Sequence, residues 1–117
     1  MYKRFIPLVL LSAAMIFAFS GCSRPFSQDQ LHFGIEAAKK DLWDEAIFRW
    51  KRVLATDPNS AAAHNNLAVA YEKKGLWDEA KREYEIALKL KPENSYIKTN
   101  YQNFLRRYEL IKKDENK

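Results

Sequence analysis

The pentapeptide Leu42-Trp43-Asp44-Glu45-Ala46 returns unchanged as Leu76-Trp77-Asp78-Glu79-Ala80, a shift of 34 residues. The same shift relates Lys39 to Lys73, Leu54 to Leu88 and Pro58 to Pro92, and it sets Trp50 against another aromatic, Tyr84. A repeat unit of this size cannot bury its apolar face alone, so its copies must stack. Within a copy the apolar residues Trp43, Ala46, Ile47, Trp50, Val53 and Leu54 recur at intervals of three and four, the spacing of one helix face. Two such segments per copy make a helical hairpin, and the chain reads as all-α.

The second copy runs Leu67-Ala68-x2-Tyr71, then Ala80-x3-Tyr84, then Pro92, with Gly75 between its helices. The first runs Phe33-Gly34-x2-Ala37, then Ala46-x3-Trp50, then Pro58, with Asp41 in place of the glycine. This resembles the tetratricopeptide (TPR) repeat, whose pattern is W-x2-L-G-x2-Y, A-x3-F and P. Gln30 and His64 stand at the opening Trp position and Ala37 at the usual Tyr. The resemblance implies a right-handed α-solenoid with repeats over 27–60 and 61–94, a capping helix over 95–112 and a polar tail over 113–117. Ser27-x-x-Gln30 reads as a capping box for the first helix. Ser60 caps the third helix, Gly75 closes it in the left-handed conformation, and Asn94-Ser95 opens the fifth. Gly34, Ala46, Ala68, Ala80 and Ala87 are the small residues that let helices approach. Two and a half units lie near the lower limit for a stable stack, which leaves self-association open.

Ahead of the repeats, Lys3 and Arg4 precede an apolar run from Phe5 to Phe19 and then Ser20-Gly21-Cys22. The order of charge, apolar run and small residues is that of a secretory signal, and the run is shorter than the roughly 20 residues that span a bilayer. Cys22, the one cysteine, follows Ser-Gly directly. This resembles the bacterial lipobox, with Phe19 where Leu is usual. The resemblance implies that 1–21 is a cleaved signal and that Cys22 carries lipid and fatty acyl (palmitate-type) chains. It further implies, with Ser23 rather than Asp next in line, an outer-membrane location facing the periplasm. The alternative is an uncleaved anchor. Residues 22–26 form a linker that reaches less than roughly 20 Å, so the domain is expected close to the membrane.

Removing Lys3 and Arg4 with the signal takes the formal charge from +5 to +3. With both signs interspersed, that mild excess argues against a nucleic-acid partner. No H-E-x-x-H, G-x-S-x-G or phosphate-cradling glycine loop occurs. His32 and His64 have no acid or thiol at ligand spacing, so neither a catalytic residue, a metal site nor a cofactor is expected. Asp44-Glu45 and Asp78-Glu79 fit first helical turns, where the helix dipole favours acids.

The TPR resemblance implies a concave groove lined by the first helix of each hairpin, which holds a protein or peptide partner. In this chain it would present Gln28, Leu31, His32, Ile35 and Lys39 from the first unit. The second unit and the cap would add Asn65, Asn66, Val69, Lys73, Tyr96, Asn100, Asn103 and Arg107. Asparagines offer donors and acceptors to an extended backbone, and Lys39, Lys73 and Arg107 recur every 34 residues as a basic row. Phe26 and Phe48 form an alternative outer patch, read either as a cover for the first hairpin's open edge or as a docking surface. The expectation is a lipid-anchored, non-enzymatic adaptor that assembles or stabilises a cell-envelope complex. The other class weighed is an accessory or small carbohydrate-binding enzyme of the periplasm, which requires aromatics off the packing rows together with acids.

Overall fold

The computed structural model describes residues 26–117. The expected signal over 1–21, Cys22 and residues 23–25 of the expected linker lie outside them. Five α-helices follow one another: α1 (Phe26–Lys39), α2 (Trp43–Thr56), α3 (Ala61–Lys73), α4 (Trp77–Leu90) and α5 (Ser95–Glu115), with no strand among the described residues. α1 packs along α2 and α3 along α4. α2 then touches α3, and α4 touches α5, so the order in space follows the order in sequence. This is the all-α repeat stack that the 34-residue period predicts.

The two hairpin turns are built alike from different residues. In the second, Leu76 N–H donates to Tyr71 O at 2.9 Å and Gly75 N–H to Glu72 O at 3.0 Å. In the first, Leu42 N–H donates to Ala37 O and Asp41 N–H to Ala38 O, both at 3.0 Å. These are the paired bonds of a Schellman closure, which needs a left-handed residue at its corner. Gly75 takes φ 73° at no steric cost, whereas Asp41 is held at φ 58° with a Cβ. Between hairpins, Ser60 Oγ accepts from Ala63 N–H at 3.2 Å and Asn94 Oδ1 from Ile97 N–H at 3.0 Å, capping α3 and α5.

Two boundary expectations are corrected. Ser27 lies inside α1, and Gln30 is buried with its side-chain oxygen accepting from Arg49 at 3.2 Å, so the pair forms no capping box. α5 continues past Lys112 to Glu115, because Lys112 bridges to Asp78 at 3.8 Å and to Glu115 at 3.0 Å and so ties the polar end down.

Packing explains the small residues. Ala46, Ala68, Ala80 and Ala87 are fully buried at the helix contacts. A methyl group on Gly34 would lie 2.3 Å from Trp50 Nε1, so this position must be bare for the indole to lie flat against α1. The indole N–H donates to the Leu31 carbonyl at 3.2 Å. One period later Ala68 faces the smaller Tyr84 in the second core. Phe104 of α5 is completely buried there, 5.2 Å from the Tyr84 ring and 6.2 Å from Trp77. α5 is therefore the first helix of a third unit, used as a lid on the second.

Candidate functional site

The first helices of the successive units, α1, α3 and α5, line a concave surface with two adjoining hollows. One, of about 500 Å³, is lined by Val69, Glu72, Lys73, Trp77, Tyr84, Asn100, Asn103 and Arg107. The other, of about 370 Å³, is lined by Ile35, Ala38, Lys39, Trp43, Trp50, Asn66, Val69 and Tyr96. Val69 belongs to both, so they form one trough along the stack. The structure thus brings together Ile35, Lys39, Asn66, Val69, Lys73, Asn100, Asn103 and Arg107. Half-buried Trp43 and Trp77 give the trough aromatic walls.

Other residues expected in the groove lie elsewhere. Asn65 is only 2% exposed: its oxygen accepts from Asn100 Nδ2 at 3.1 Å and its amide donates to Asn66 Oδ1 at 3.4 Å. It joins α3 to α5 beneath the surface. Leu31 packs into the first core, and His32 lies beside Phe33, 6.4 Å ring to ring.

Charge in the trough is uneven. Arg107 Nε donates to Glu72 Oε1 at 2.6 Å, and the same carboxylate accepts from Tyr84 O–H at 3.2 Å, so Glu72 ties α3, α4 and α5 together. Burial, then the Glu72 charge, pushes the Tyr84 phenol far above its ordinary range. Lys39 is held by Glu36 at 2.8 Å. Lys73 is exposed and has no carboxylate partner among the described residues. The basic row therefore reduces to one free cation flanked by two neutralised ones. In a wall of Asn66, Asn100 and Asn103, that cation suits the backbone and acidic side chains of an extended segment.

Several structural pairs were not visible in the sequence. His64 places Nδ1 2.6 Å from Glu83 Oε2 and Nε2 2.9 Å from the Pro58 carbonyl. The equivalent pair 34 residues earlier is Gln30 with Arg49. Acceptor and donor have exchanged helices, and the contact is kept. Asp44 likewise accepts from Lys74 while Asp78 accepts from Tyr108 O–H at 2.7 Å, so the first-turn acids also clamp each unit to the next. Identical offsets were the available signal, but the changed residue types concealed it.

The outer patch is larger than the two phenylalanines. Phe26, Phe33 and Phe48 are 47%, 52% and 51% exposed. The Arg49 guanidinium lies 5.8 Å from the Phe33 ring and 5.7 Å from Phe48, and Arg52 lies 5.7 Å from Phe48 and 4.9 Å from Phe26. Phe33 is the period equivalent of Leu67, which is 1% exposed against the first unit. It marks the edge that a preceding repeat would cover.

Among the described residues no cluster of His, Cys, Asp and Glu has the geometry to hold a metal, and no helix is long and apolar enough to cross a membrane. The fold and the trough define a helical-repeat scaffold of the kind that receives protein or peptide partners. Family models place it: one of the TPR repeat matches residues 39–75 and one of the tetratricopeptide repeat matches 61–94. The segment 39–94 thus carries tetratricopeptide repeats. Those matches span α2, α3 and α4, and their family is in general an interaction module rather than an enzyme. Among curated proteins no match was found.

Proposed function

We propose that this protein is a lipid-anchored TPR adaptor of the bacterial cell envelope, tethered through Cys22 and holding a segment of a partner protein in its trough. The observation that carries the binding role is the trough itself. It offers exposed Lys73, the amides of Asn66, Asn100 and Asn103, and the apolar surface of Val69 and Trp77 on one continuous face. Its role is assembly or stabilisation of an envelope complex, at the outer membrane and facing the periplasm. The anchoring part rests on Ser20-Gly21-Cys22 after the apolar run.

Charge reversal tests the trough, and the structure selects the residue. Arg107→Glu would set two carboxylates together at Glu72 and unfold the cap, so the test is Lys73→Glu, which breaks no internal pair. Partner affinity should fall about tenfold, roughly 1.4 kcal/mol, with the melting curve unchanged. An affinity unchanged by Lys73→Glu and by Asn66→Ala would remove the trough as the binding face. For the anchor, Cys22→Ala should abolish incorporation of labelled fatty acid. Lack of incorporation by the unaltered chain would contradict lipidation.

A further inference from the structure

The outer surface of the first repeat is an unbroken ladder of alternating rings and guanidinium groups: Phe33, Arg49, Phe48, Arg52, Phe26. Each step is a ring-to-cation contact between 4.9 and 5.8 Å. Arg49 also holds the hairpin through Gln30, but the three rings stay half exposed and belong to no core. At the same places one period later stand Leu67, Glu83, Arg82, Ile86 and Ser60, with no aromatic among them and one charge reversed. Arg49 also reaches Glu45 at 2.6 Å and Gln30 at 3.2 Å, while Arg52 has no carboxylate partner among the described residues. The ladder therefore presents half-exposed apolar rings with cationic charge left over.

Its place in the chain identifies what it meets. Phe26 opens α1, and only Ser23, Arg24 and Pro25 separate it from Cys22. The ladder thus lies at the end of the stack nearest the anchor, within a linker's reach of the bilayer, whereas the trough extends away along α3 and α5. Aromatic rings that enter the boundary between headgroups and acyl chains, with arginines rising beside them to phosphate, are what a protein surface needs to lie on an anionic membrane. We propose that this ladder seats the first repeat on anionic phospholipid and so holds the trough in a fixed attitude toward the periplasm. The proposal rests on the reading that the chain is membrane-anchored ahead of Phe26.

The test uses the full lipidated chain on vesicles of phosphatidylglycerol and phosphatidylcholine with brominated acyl chains, which quench indoles that enter the bilayer. Phe48→Trp should gain an emission component that is lost on brominated lipid, Arg82→Trp, its counterpart in the second repeat, should not, and adding Arg52→Glu to Phe48→Trp should restore the emission. Flotation of the same samples separates the two readings. A chain that does not float with the vesicles contradicts the anchor and the seat with it. A chain that floats, yet is quenched no more at position 48 than at position 82, overturns the seat alone. So does emission at position 48 that shifts with protein concentration and ignores bromine, since a second copy would then cover the ladder.

Discussion

The two repeats share a backbone and differ in how they fill it. In the first, a bare Gly34 admits the Trp50 indole, and in the second Ala68 faces the smaller Tyr84. At the turn, Asp41 holds at a cost the conformation that Gly75 takes freely. Across each hairpin, Gln30 with Arg49 becomes His64 with Glu83. Each change on one helix is answered on its neighbour, so it is the contact that the fold requires, and several residue pairs can make it. The outer faces carry no such compensation: Phe48 and Arg52 become Arg82 and Ile86, and there the two units present different surfaces.

The largest effect should come from emptying the second core. Tyr84→Ala removes a ring packed against Phe104 and Tyr101 and should lower stability by about 3–5 kcal/mol in urea denaturation. A loss below about 1 kcal/mol would mean that α5 is not a lid on this ring.

Gly34→Ala tests the compensation directly. The added methyl should cost about 1–3 kcal/mol by crowding an indole pinned to the Leu31 carbonyl. Adding Trp50→Tyr, which recreates the second repeat's pair, should recover most of it. If the double variant is less stable than Gly34→Ala alone, the two residues are not a matched pair.

At the turns the comparison should invert with exchange. Asp41→Gly should raise stability by up to about 1 kcal/mol, and Gly75→Asp should lower it by a similar amount. Equal melting temperatures for both variants and the parent would show that the left-handed corner is not strained.

The smallest effect is confined to one region and depends on pH. Burial first, then the hydrogen bond to Glu85, pushes the Tyr101 phenol up to about 12 from an ordinary 10.0, and Tyr84 is raised further. A folded value above the unfolded one gives stability that is complete below about pH 10 and lost as pH rises toward 12. Both rings belong to the contact of α4 with α5, so hydrogen exchange at alkaline pH should quicken there before it does in α1 and α2. Tyr101→Phe should weaken that dependence, and exchange that quickens uniformly along the chain would contradict the assignment.

The helices were legible because period 34 and the apolar spacing act together, and the Ser60, Gly75 and Asn94 signals are local. Ser27 with Gln30 misled because a cap signature does not reveal that Arg49, nineteen residues on, competes for the same amide. The end of α5 was hidden for a related reason, since Lys112 finds Asp78 across the stack. Most of the trough could be placed by register alone. Asn65 could not, because adjacent helical positions differ by about 100° and a small error in register exchanges groove for core. The pattern sets Phe33 at the place of Leu67 but does not tell that Phe33 is 52% exposed where Leu67 is 1% exposed, since that depends on what packs against each copy.

Crosslinking decides whether the concave face holds the partner, as proposed. A photo-crosslinking residue placed at Val69, in the middle of the trough, and another at Ile86, on the convex side of α4, should be compared in the intact full-length protein in its own envelope. A discrete protein adduct is expected from position 69, diminished by Lys73→Glu, and none from position 86. An adduct from position 86 with none from position 69 would put the partner on the opposite face of the stack and overturn the trough as its seat.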